Sequence, residues 1–500
     1  MASQSDRERW LREEPPFDDI ACGLQAGARL PRAMLAETRE TIALARRFNR
    51  EVVRPLALDL DRRVQETPDY LPWEFVRTAN RWGLFSLWIP RIFGGKGRNL
   101  PSFSYFIEEL ASACTALANL VGVHYLGVAT LIATWNTRIA RHVFRQVVQG
   151  EESGNPCMIS LALTEPDAGT DVEETALMDM GHVTCLAERV RGGYVVNGRK
   201  VFISNGHLSR WHMLCCFADS DRPSEHLVVL AVERGTKGFS LGRIERKMGQ
   251  KACPASELIF DDCFVPDRWV CLDPAQAGRL ARTPTETTMQ FIDYVFSASR
   301  AGVGAFGTGV ARGAYETALD FAARTEVEGR PLINHEWAQA MLAQMYRNVA
   351  VSRLAYVESN HANGLYGMFR LLQKQPLFSI MKHAPGALID GLAPLLLDSP
   401  TGTRLLRRLH CDRQTRKEIE RTSGWGSLAK FSGTDAGVKN AQMALALMGE
   451  AGLRHDRGAE KHLRDAKLMQ IYEGTNQLNR LNLFKCLIAR CVPGATVFEE

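Results

Sequence analysis

The chain has 500 residues, of which 45% are hydrophobic and 23% charged, as in ordinary globular proteins, and this composition excludes an intrinsically disordered chain. Its net charge is only +5 and its 12 cysteines contain no C-x-x-C pair, so neither a strongly basic protein nor a disulfide-rich secreted scaffold is indicated. We expect about three domains with reduced thiols.

Residues 1–34 form a polar leader. Acidic residues are interspersed with arginines and there is no apolar core, so neither a secretory signal nor a transit peptide fits. No window reaches the apolar length that we expect of a membrane span. We therefore predict a cytoplasmic protein, with the mitochondrial matrix as the alternative location.

Residues 35–155 read as a helical domain. Apolar residues recur at helical spacing over 34–60 and 72–87, and 106–144 is helical and strongly apolar. The composition of that last stretch predicts core helices, with His124 as a buried structural residue.

Residues 156–278 change to short β-rich runs without intervening helices. Asn197-Gly198 between two such runs predicts a hairpin turn, because both residue types tolerate positive φ. Further strands are predicted over 211–218, 227–233, 239–244 and 256–260. Regular short strands of this kind favour a small barrel or sandwich.

Residues 279–500 return to helical spacing. Gly302, Gly304 and Gly307 satisfy G-x-G-x-x-G but follow no strand, so we expect close helix packing here rather than a dinucleotide site. An insertion at about 360–430 has eleven Lys or Arg and five Asp or Glu residues, a local charge of +6. It is either a helical segment with a solvated basic face or a surface for an anionic membrane or a protein partner.

Glu473 interrupts an apolar helical pattern near the C-terminus. Gly474 should end the first helical run, and Thr475 should cap the second through its hydroxyl. From these residues alone, Glu473 is either an exposed loop residue or a carboxylate that faces an enclosed space. In an apolar space its proton affinity would rise, as a general base near neutral pH requires.

Five motifs, in order, resemble the acyl-CoA dehydrogenase family. The resemblance covers most of residues 35–490 and implies an α+β fold: an N-terminal helical domain, a middle β-domain and a C-terminal four-helix bundle that holds the insertion. It also implies a non-covalent FAD, and we expect no metal. The motifs are Pro90 with Phe93-Gly94-Gly95-Lys96-Gly97, LALTEPDAGTDV at 161–172, NGRKVFISNG at 197–206, KMG at 247–249, and RDAKLMQIYEGTNQLNR at 464–480.

The resemblance implies a cofactor site shared between subunits. Arg324 would reach FAD phosphates in a neighbouring subunit, so a homodimer or homotetramer is expected. The implied FAD-binding residues are Leu163, Thr164, Thr170, Phe202, Ile203, Ser204, Arg324, His335, Gly449, Thr475 and Gln477.

The resemblance also implies the chemistry. Glu473 would remove a proton from Cα of an acyl-CoA thioester while hydride leaves Cβ for flavin N5, giving a trans-2-enoyl-CoA, with an electron-transfer flavoprotein as acceptor. Thr170, Phe296, Arg300 and Gly474 would bind the substrate. Some relatives carry the base on the helix of Arg300, but the adjacent Ser299 cannot serve. The alternative for Arg300 is a surface ion pair.

Four features depart from the family pattern: Glu450 after Gly449, Glu336 after His335, a segment of 324–329 that is one residue longer, and the insertion. The alternative functions are an oxygen-using oxidase or monooxygenase of the same fold, or a non-catalytic flavoprotein whose basic insertion binds nucleic acid. The insertion lacks the interleaved aromatic residues of a single-strand platform, which disfavours the last alternative.

Overall fold

The computed structural model describes residues 33–275, 282–492 and 494–498. The predicted leader lies almost wholly outside this range. The first part of the described chain is helical, as predicted. Its helices are α1 (Ala33–Phe48), α2 (Arg54–Glu66), α3 (Trp73–Arg81), α4 (Pro101–Ala111), α5 (Thr115–Ala133) and α6 (Thr137–Ser153).

Local signals explain where some of these helices begin and end. Pro101 opens α4, where its missing N–H costs nothing. The Asn136 side chain caps α6 by accepting from the Ile139 amide at 3.2 Å. Gly154 then ends α6 in the left-handed conformation, with φ of 78°.

Helix α5 is apolar on all sides because it is a core helix. By length and composition this 19-residue helix could cross a membrane, although Asn119 and His124 interrupt its run of apolar residues. However, 78% of that window is buried inside the structure. His124 on α5 is fully buried, and its Nε2 lies 2.9 Å from the Phe85 carbonyl oxygen. Burial lowers the pKa of His124 to about 4, which fits the predicted structural role.

The middle part is one mixed sheet of eight strands. The path is β6-β7-β3-β2-β4-β5-β8, and β1 pairs with β4. The β1–β4 and β2–β4 pairs are parallel. Between β1 and β2 lies a short helix, α7 (Thr175–Met178). The strands are β1 (Ile159–Ala162), β2 (Leu186–Val190), β3 (Gly193–Ser204), β4 (Trp211–Phe217), β5 (Leu227–Glu233), β6 (Phe239–Ile244), β7 (Ala255–Pro266) and β8 (Val270–Leu272).

The predicted Asn197-Gly198 hairpin turn was wrong. Strand β3 runs straight through this position, and its register against β7 shifts between Val196 and Gly198. A Cβ on Gly198 would lie 2.5 Å from the Cys185 Cα, so the glycine permits a close backbone approach at a bulge. The two-residue loop between β2 and β3 is instead Arg191-Gly192, with Gly192 at φ of 86°.

The C-terminal part is a helical bundle centred on two long helices that run in the same direction, because Gly304 and Gly307 of one lie against Ala429 and Gly433 of the other. Its helices are α8 (Pro284–Arg324), α9 (Glu336–Tyr366), α13 (Arg416–Met448), α14 (Ala459–Met469) and α15 (Asn476–Leu483). A short hairpin of β9 (Glu326–Val327) and β10 (Arg330–Pro331) joins α8 to α9.

The glycine run on α8 is confirmed as a helix-packing device. A Cβ on Gly304 would lie 2.5 Å from the Ala429 carbonyl oxygen, and one on Gly307 would lie 2.3 Å from the Gly433 carbonyl carbon. Both neighbours are backbone atoms of α13. The glycines therefore let α8 and α13 approach backbone to backbone.

We expect Gly307→Ala to lower the melting temperature, because neither helix backbone can yield without separating the bundle, a cost of about 1–3 kcal/mol or more. Gly302→Ala is the matched control. Its added Cβ would meet only Phe103, at an ordinary 3.4 Å, and alanine favours helix by up to about 1 kcal/mol. Equal melting temperatures of the two variants would contradict this account of the packing.

The insertion contains helices α10 (Leu377–His383), α11 (Gly386–Leu397) and α12 (Pro400–Arg407). They lie against the N-terminal helical part. The Thr137 hydroxyl donates to the Leu397 carbonyl at 2.6 Å, and Arg91 Nη2 donates to the Ala384 carbonyl at 3.0 Å. The Trp135 and His410 rings stack with centroids 4.9 Å apart.

Several basic residues of the insertion are engaged within the chain. Lys430 is fully buried, and Arg370 is 9% exposed and lies 3.6 Å from Glu418. Lys382 pairs with Glu37 of α1. The local charge of +6 is therefore divided between internal ion pairs and the surface, rather than forming one continuous basic face.

Candidate active site

Glu473 lies in a tight turn between α14 and α15. Both Glu473 (φ of 58°) and Gly474 (φ of 73°) adopt the left-handed conformation, which is uncommon for a glutamate and costs energy. The Asn479 amide holds the turn by donating to the Glu473 and Gly474 carbonyls at 3.2 and 3.0 Å. As predicted, Thr475 caps α15, accepting from the Leu478 amide at 3.1 Å.

The Glu473 residue is half-buried, and its side chain is directed toward α8 of the bundle. Ser299 on α8 donates its hydroxyl hydrogen bond to Glu473 Oε2 at 2.5 Å. Burial raises the pKa of Glu473, while the Ser299 hydrogen bond and the positive charges of Arg300 and Lys430 oppose that rise. The result is a carboxylate of increased proton affinity whose ionised form still has a hydrogen-bond donor.

Arg300 supports the same turn from α8. It is only 2% exposed, and its Nε donates to the Glu473 carbonyl at 3.3 Å. Its guanidinium carbon lies 5.1 Å from the centre of the Phe296 ring. These contacts rule out the alternative of a surface ion pair, and they bring Phe296, Arg300, Glu473 and Gly474 together as predicted.

Lys430 of α13 is a third charged group at this turn. It is fully buried and donates to the Gly474 carbonyl and to Asn476 Oδ1, both at 2.7 Å. Burial lowers the pKa of Lys430 to about 7, against the attraction of Glu173 and Glu473. Sequence reasoning missed this residue, although a lysine among small residues on a buried helix face was a usable signal.

The predicted flavin-binding residues of the middle domain also lie together. Lys200 of β3 donates to the Leu163 carbonyl at 2.8 Å and to Glu165 Oε1 at 2.7 Å, and both charged side chains are fully buried. The Val201 amide donates to the Thr164 carbonyl at 2.9 Å. The Leu163-Thr164 loop is thereby fixed against β3.

Strand β3 ends in an unusual surface. The Phe202 side chain is 59% exposed, with backbone φ of 58°. Ile203 beside it is buried, and Ser204 is half-buried. Thr164 and Thr170 are likewise half-buried. Together they form an open face with one flat apolar ring beside hydroxyl and backbone groups.

The Lys-Met-Gly segment joins this face to the turn of Glu473. A Cβ on Gly249 would lie 2.2 Å from the Arg464 carbonyl oxygen of α14. The Gln250 amide donates to Asp465 at 2.6 Å, and its side chain donates to the Tyr472 hydroxyl at 3.3 Å. The glycine thus allows the middle domain to sit against the helix that precedes the turn.

Of the remaining predicted residues, Arg324, His335 and Gly449 lie at the other end of the bundle, away from the Glu473 turn, whereas Gln477 lies near that turn. Arg324 is exposed at the end of α8 and pairs with Asp320. Gly449 is exposed after α13. The His335 ring is buried, with Nε2 3.0 Å from the Val327 carbonyl and Nδ1 3.2 Å from Arg330, so it fixes the β9–β10 hairpin. Gln477 is exposed on α15.

The longer segment after Arg324 forms that hairpin. Glu328 and Gly329, with φ of 51° and 76°, make its two-residue turn, a conformation that matches the twist of paired strands. Glu336 then begins α9, and Glu450 follows Gly449 in a short turn after α13.

Three sequence models of a single family match the chain in order. They are "Acyl-CoA dehydrogenase, N-terminal domain" over residues 36–151, "Acyl-CoA dehydrogenase, middle domain" over 160–263, and "Acyl-CoA dehydrogenase, C-terminal domain" over 289–363 and 405–488. Residues 364–404, inside the insertion, fall between the two matched stretches of the last model.

Individual relatives agree over most of their length. The chain is 26% identical to an acyl-CoA dehydrogenase of Bacillus subtilis over 447 residues, covering 89% of this chain and 96% of the relative. It has the fold of butyryl-CoA dehydrogenase from Megasphaera elsdenii, with a TM-score of 0.68, 20% identity and coverage of 90% and 98%. It also has the fold of a glutaryl-CoA dehydrogenase of Mycobacterium smegmatis in complex with FADH2, with a TM-score of 0.66 and 18% identity. That match covers 91% of this chain and 95% of the other.

Proposed function

This chain belongs to the acyl-CoA dehydrogenase family, and from that premise we propose that it converts an acyl-CoA thioester to a trans-2-enoyl-CoA with Glu473 as the base. It is an FAD-dependent oxidoreductase of that family. The observation that carries the proposal is the half-buried Glu473 carboxylate, held by Ser299 in a turn that Arg300 and Lys430 support.

In this mechanism Glu473 removes one proton from Cα of the acyl group. That proton is weakly acidic, so the base needs a raised proton affinity, which burial supplies. Negative charge then gathers on the thioester oxygen, where the backbone amide of Glu473 would stabilise it. Arg300 donates to the Glu473 carbonyl at 3.3 Å, which fixes the peptide that follows Glu473 and so supports the conformation of the turn.

The exposed face of the middle domain fits FAD. Phe202 supplies a flat apolar wall, and the hydroxyls of Thr164 and Thr170 with nearby backbone groups supply hydrogen bonds. Leu163, Ile203 and Ser204 would complete the wall. These residues would hold FAD, which would supply the acceptor for the hydride from Cβ.

The substrate would enter beside the same turn. Phe296 and Arg300 lie next to Glu473, and Gly474 lets the turn pack closely against Leu478, because a Cβ there would lie only 2.9 Å from that side chain. Thr170 would contact the thioester arm from the middle domain. We assign these four residues to substrate binding.

The predicted FAD-binding residues that lie far from the Glu473 turn support an oligomer. Arg324 lies on α8 well beyond Arg300, roughly 36 Å away at 1.5 Å of rise per residue. One FAD beside Phe202 could therefore meet Arg324, His335 and Gly449 through a second subunit, while Thr475 and Gln477 lie near the active turn. We propose a homodimer or homotetramer on this basis.

We further propose a cytoplasmic enzyme that passes its electrons to an electron-transfer flavoprotein. The contacts of the insertion with Thr137 and Arg91 support a role in bracing the N-terminal helices. Only the outer surface of the insertion would then be available to bind a membrane or a protein partner.

Product analysis tests the proposed reaction. Purified holoenzyme is incubated with a panel of acyl-CoAs and an artificial electron acceptor, and the acyl products are weighed by mass spectrometry. We expect at least one acyl group to lose two hydrogens only when the acceptor is present. Turnover that instead consumes oxygen and needs no acceptor would identify an oxidase or monooxygenase.

A further inference from the structure

A second carboxyl group lies beside the base, in the segment that follows Thr170. Glu173 is the last residue of a short 3₁₀ turn (Asp171–Glu173), and Glu174 follows it as the N-cap of α7. Glu174 has a structural role, because its two oxygens lie 2.6 and 2.7 Å from Lys485 Nζ and Oε1 accepts from the Ala176 amide at 3.2 Å. This ion pair fastens the segment to the C-terminal helices.

Glu173 has no comparable partner. Its Oε2 is buried and makes no hydrogen bond with any residue that the structure describes. A Cβ on Gly474 would lie 3.2 Å from that oxygen. The Glu173 carboxyl group is therefore in contact range of the turn that carries Glu473, and a buried oxygen without a partner there needs an explanation.

Four charged groups act on the Glu173 carboxyl group. Glu473 and Asp171 are acidic, while Arg300 of α8 and Lys430 of α13 are basic. Burial raises the pKa of Glu173 to about 8, and the negative charge of Glu473 adds to that rise against Arg300 and Lys430. Glu473 differs because it accepts the Ser299 hydrogen bond, which favours its ionised form.

We propose that Glu173 is the proton-holding partner of Glu473. It stays neutral at neutral pH, so the base carries the only negative charge of the pair, and it acts through Glu473 as a positioning residue. The unequal environments of the two carboxyl groups divide these roles between them. This inference rests on the proposed role of Glu473 as base.

The proposal predicts an alkaline change in catalysis. When Glu173 ionises, a second negative charge appears beside the base and near the developing charge of the thioester oxygen. The rate of flavin reduction should therefore pass through an alkaline inflection in the wild type that Glu173→Gln lacks. A coupled pair of this kind titrates as a unit.

A thermal measurement tests the protonation state without turnover. An unfolded Glu173 loses its proton near the ordinary value for glutamate, whereas the folded chain keeps it to higher pH. The wild type therefore loses stability relative to Glu173→Gln as pH rises through the interval between those values. We expect the melting temperature of the variant minus that of the wild type to increase as the pH rises from mildly acidic to mildly alkaline. A constant difference at every pH would overturn the proposal.

Stopped-flow reduction of the holoenzyme by an acyl-CoA completes the test. The ratio of the wild-type rate constant to that of Glu173→Gln should be constant at acidic and neutral pH and should change at alkaline pH. Glu173→Ala, which is also uncharged, should lack the inflection too. Parallel pH profiles for wild type and variants would sink the role of Glu173 while leaving the proposed reaction intact. Failure of every acyl-CoA to reduce the wild-type flavin would instead contradict the proposed reaction. The melting curves would still test the protonation state of Glu173.

Discussion

Glu473→Gln should retain FAD and still bind acyl-CoA, yet lose flavin reduction by about 10²–10⁴-fold or to below detection. The amide keeps the shape of the side chain and can accept from Ser299, so the turn should survive. It has no basic oxygen for the α-proton. Stopped-flow reduction under anaerobic conditions measures the loss, and the flavin spectrum reports cofactor binding.

The neighbouring carboxyl group supplies the matched control. Glu173→Gln removes an acid that lies against Gly474, the residue after the base, but one that should already be neutral at neutral pH. It should keep measurable flavin reduction where Glu473→Gln has none. If the two variants exchanged these behaviours, Glu173 would be the base and Glu473 its partner.

Glu165→Gln should cost about 3–5 kcal/mol of unfolding free energy, because it leaves the buried Lys200 ammonium without its counter-charge. Glu165 is also held by the Cys185 amide at 2.9 Å, and Lys200 holds the Leu163 carbonyl. Burial opposes ionisation of Glu165, yet Lys200 and these hydrogen bonds keep its pKa below the ordinary value. Loosening of the Leu163-Thr164 loop should also weaken retention of FAD.

Denaturant unfolding of the apoprotein and release of FAD from the holoenzyme measure the two effects. Glu233→Gln is the control, because Glu233 forms an exposed pair with Arg210 on the same sheet, at 2.7 Å. Exposed pairs contribute about 0–1 kcal/mol. An equal loss of stability in both variants would show that burial of the Glu165–Lys200 pair does not govern this loop.

Local rules predicted the parts of the site that local residues determine. The Thr475 cap, the start of α15 and the strands over 227–233 and 239–244 follow from side-chain chemistry and alternation close in sequence. The packing role of Gly307 could also be predicted, because a glycine motif without a preceding strand cannot form a dinucleotide turn.

Tertiary contacts decided what local rules missed. Asn197-Gly198 has the residues of a hairpin turn, but close contact with Cys185 makes it a bulge within β3. The direction of Glu173 depends on the ion pair of its neighbour Glu174 with Lys485, far along the chain. Ser299 was dismissed as a base, and its role as a donor to Glu473 emerged only from the fold.

The Glu473 turn also explains why a family motif tolerates an unfavourable backbone. A left-handed glutamate persists only where its surroundings over-determine it. Here Asn479, Arg300 and Lys430 hold successive carbonyls of the turn from three different helices. That support fixes the conformation of Glu473, whose carboxylate and backbone amide would act on the same substrate in the proposed reaction.

Anaerobic titration of the wild-type holoenzyme with a panel of acyl-CoAs tests the central claim most directly. The claim is that Glu473 removes an α-proton beside a bound flavin. We predict that at least one thioester bleaches the yellow flavin of the wild type and that the same thioester leaves Glu473→Gln yellow. Failure of every thioester to bleach the wild type, or equal bleaching of the two proteins, would contradict the account.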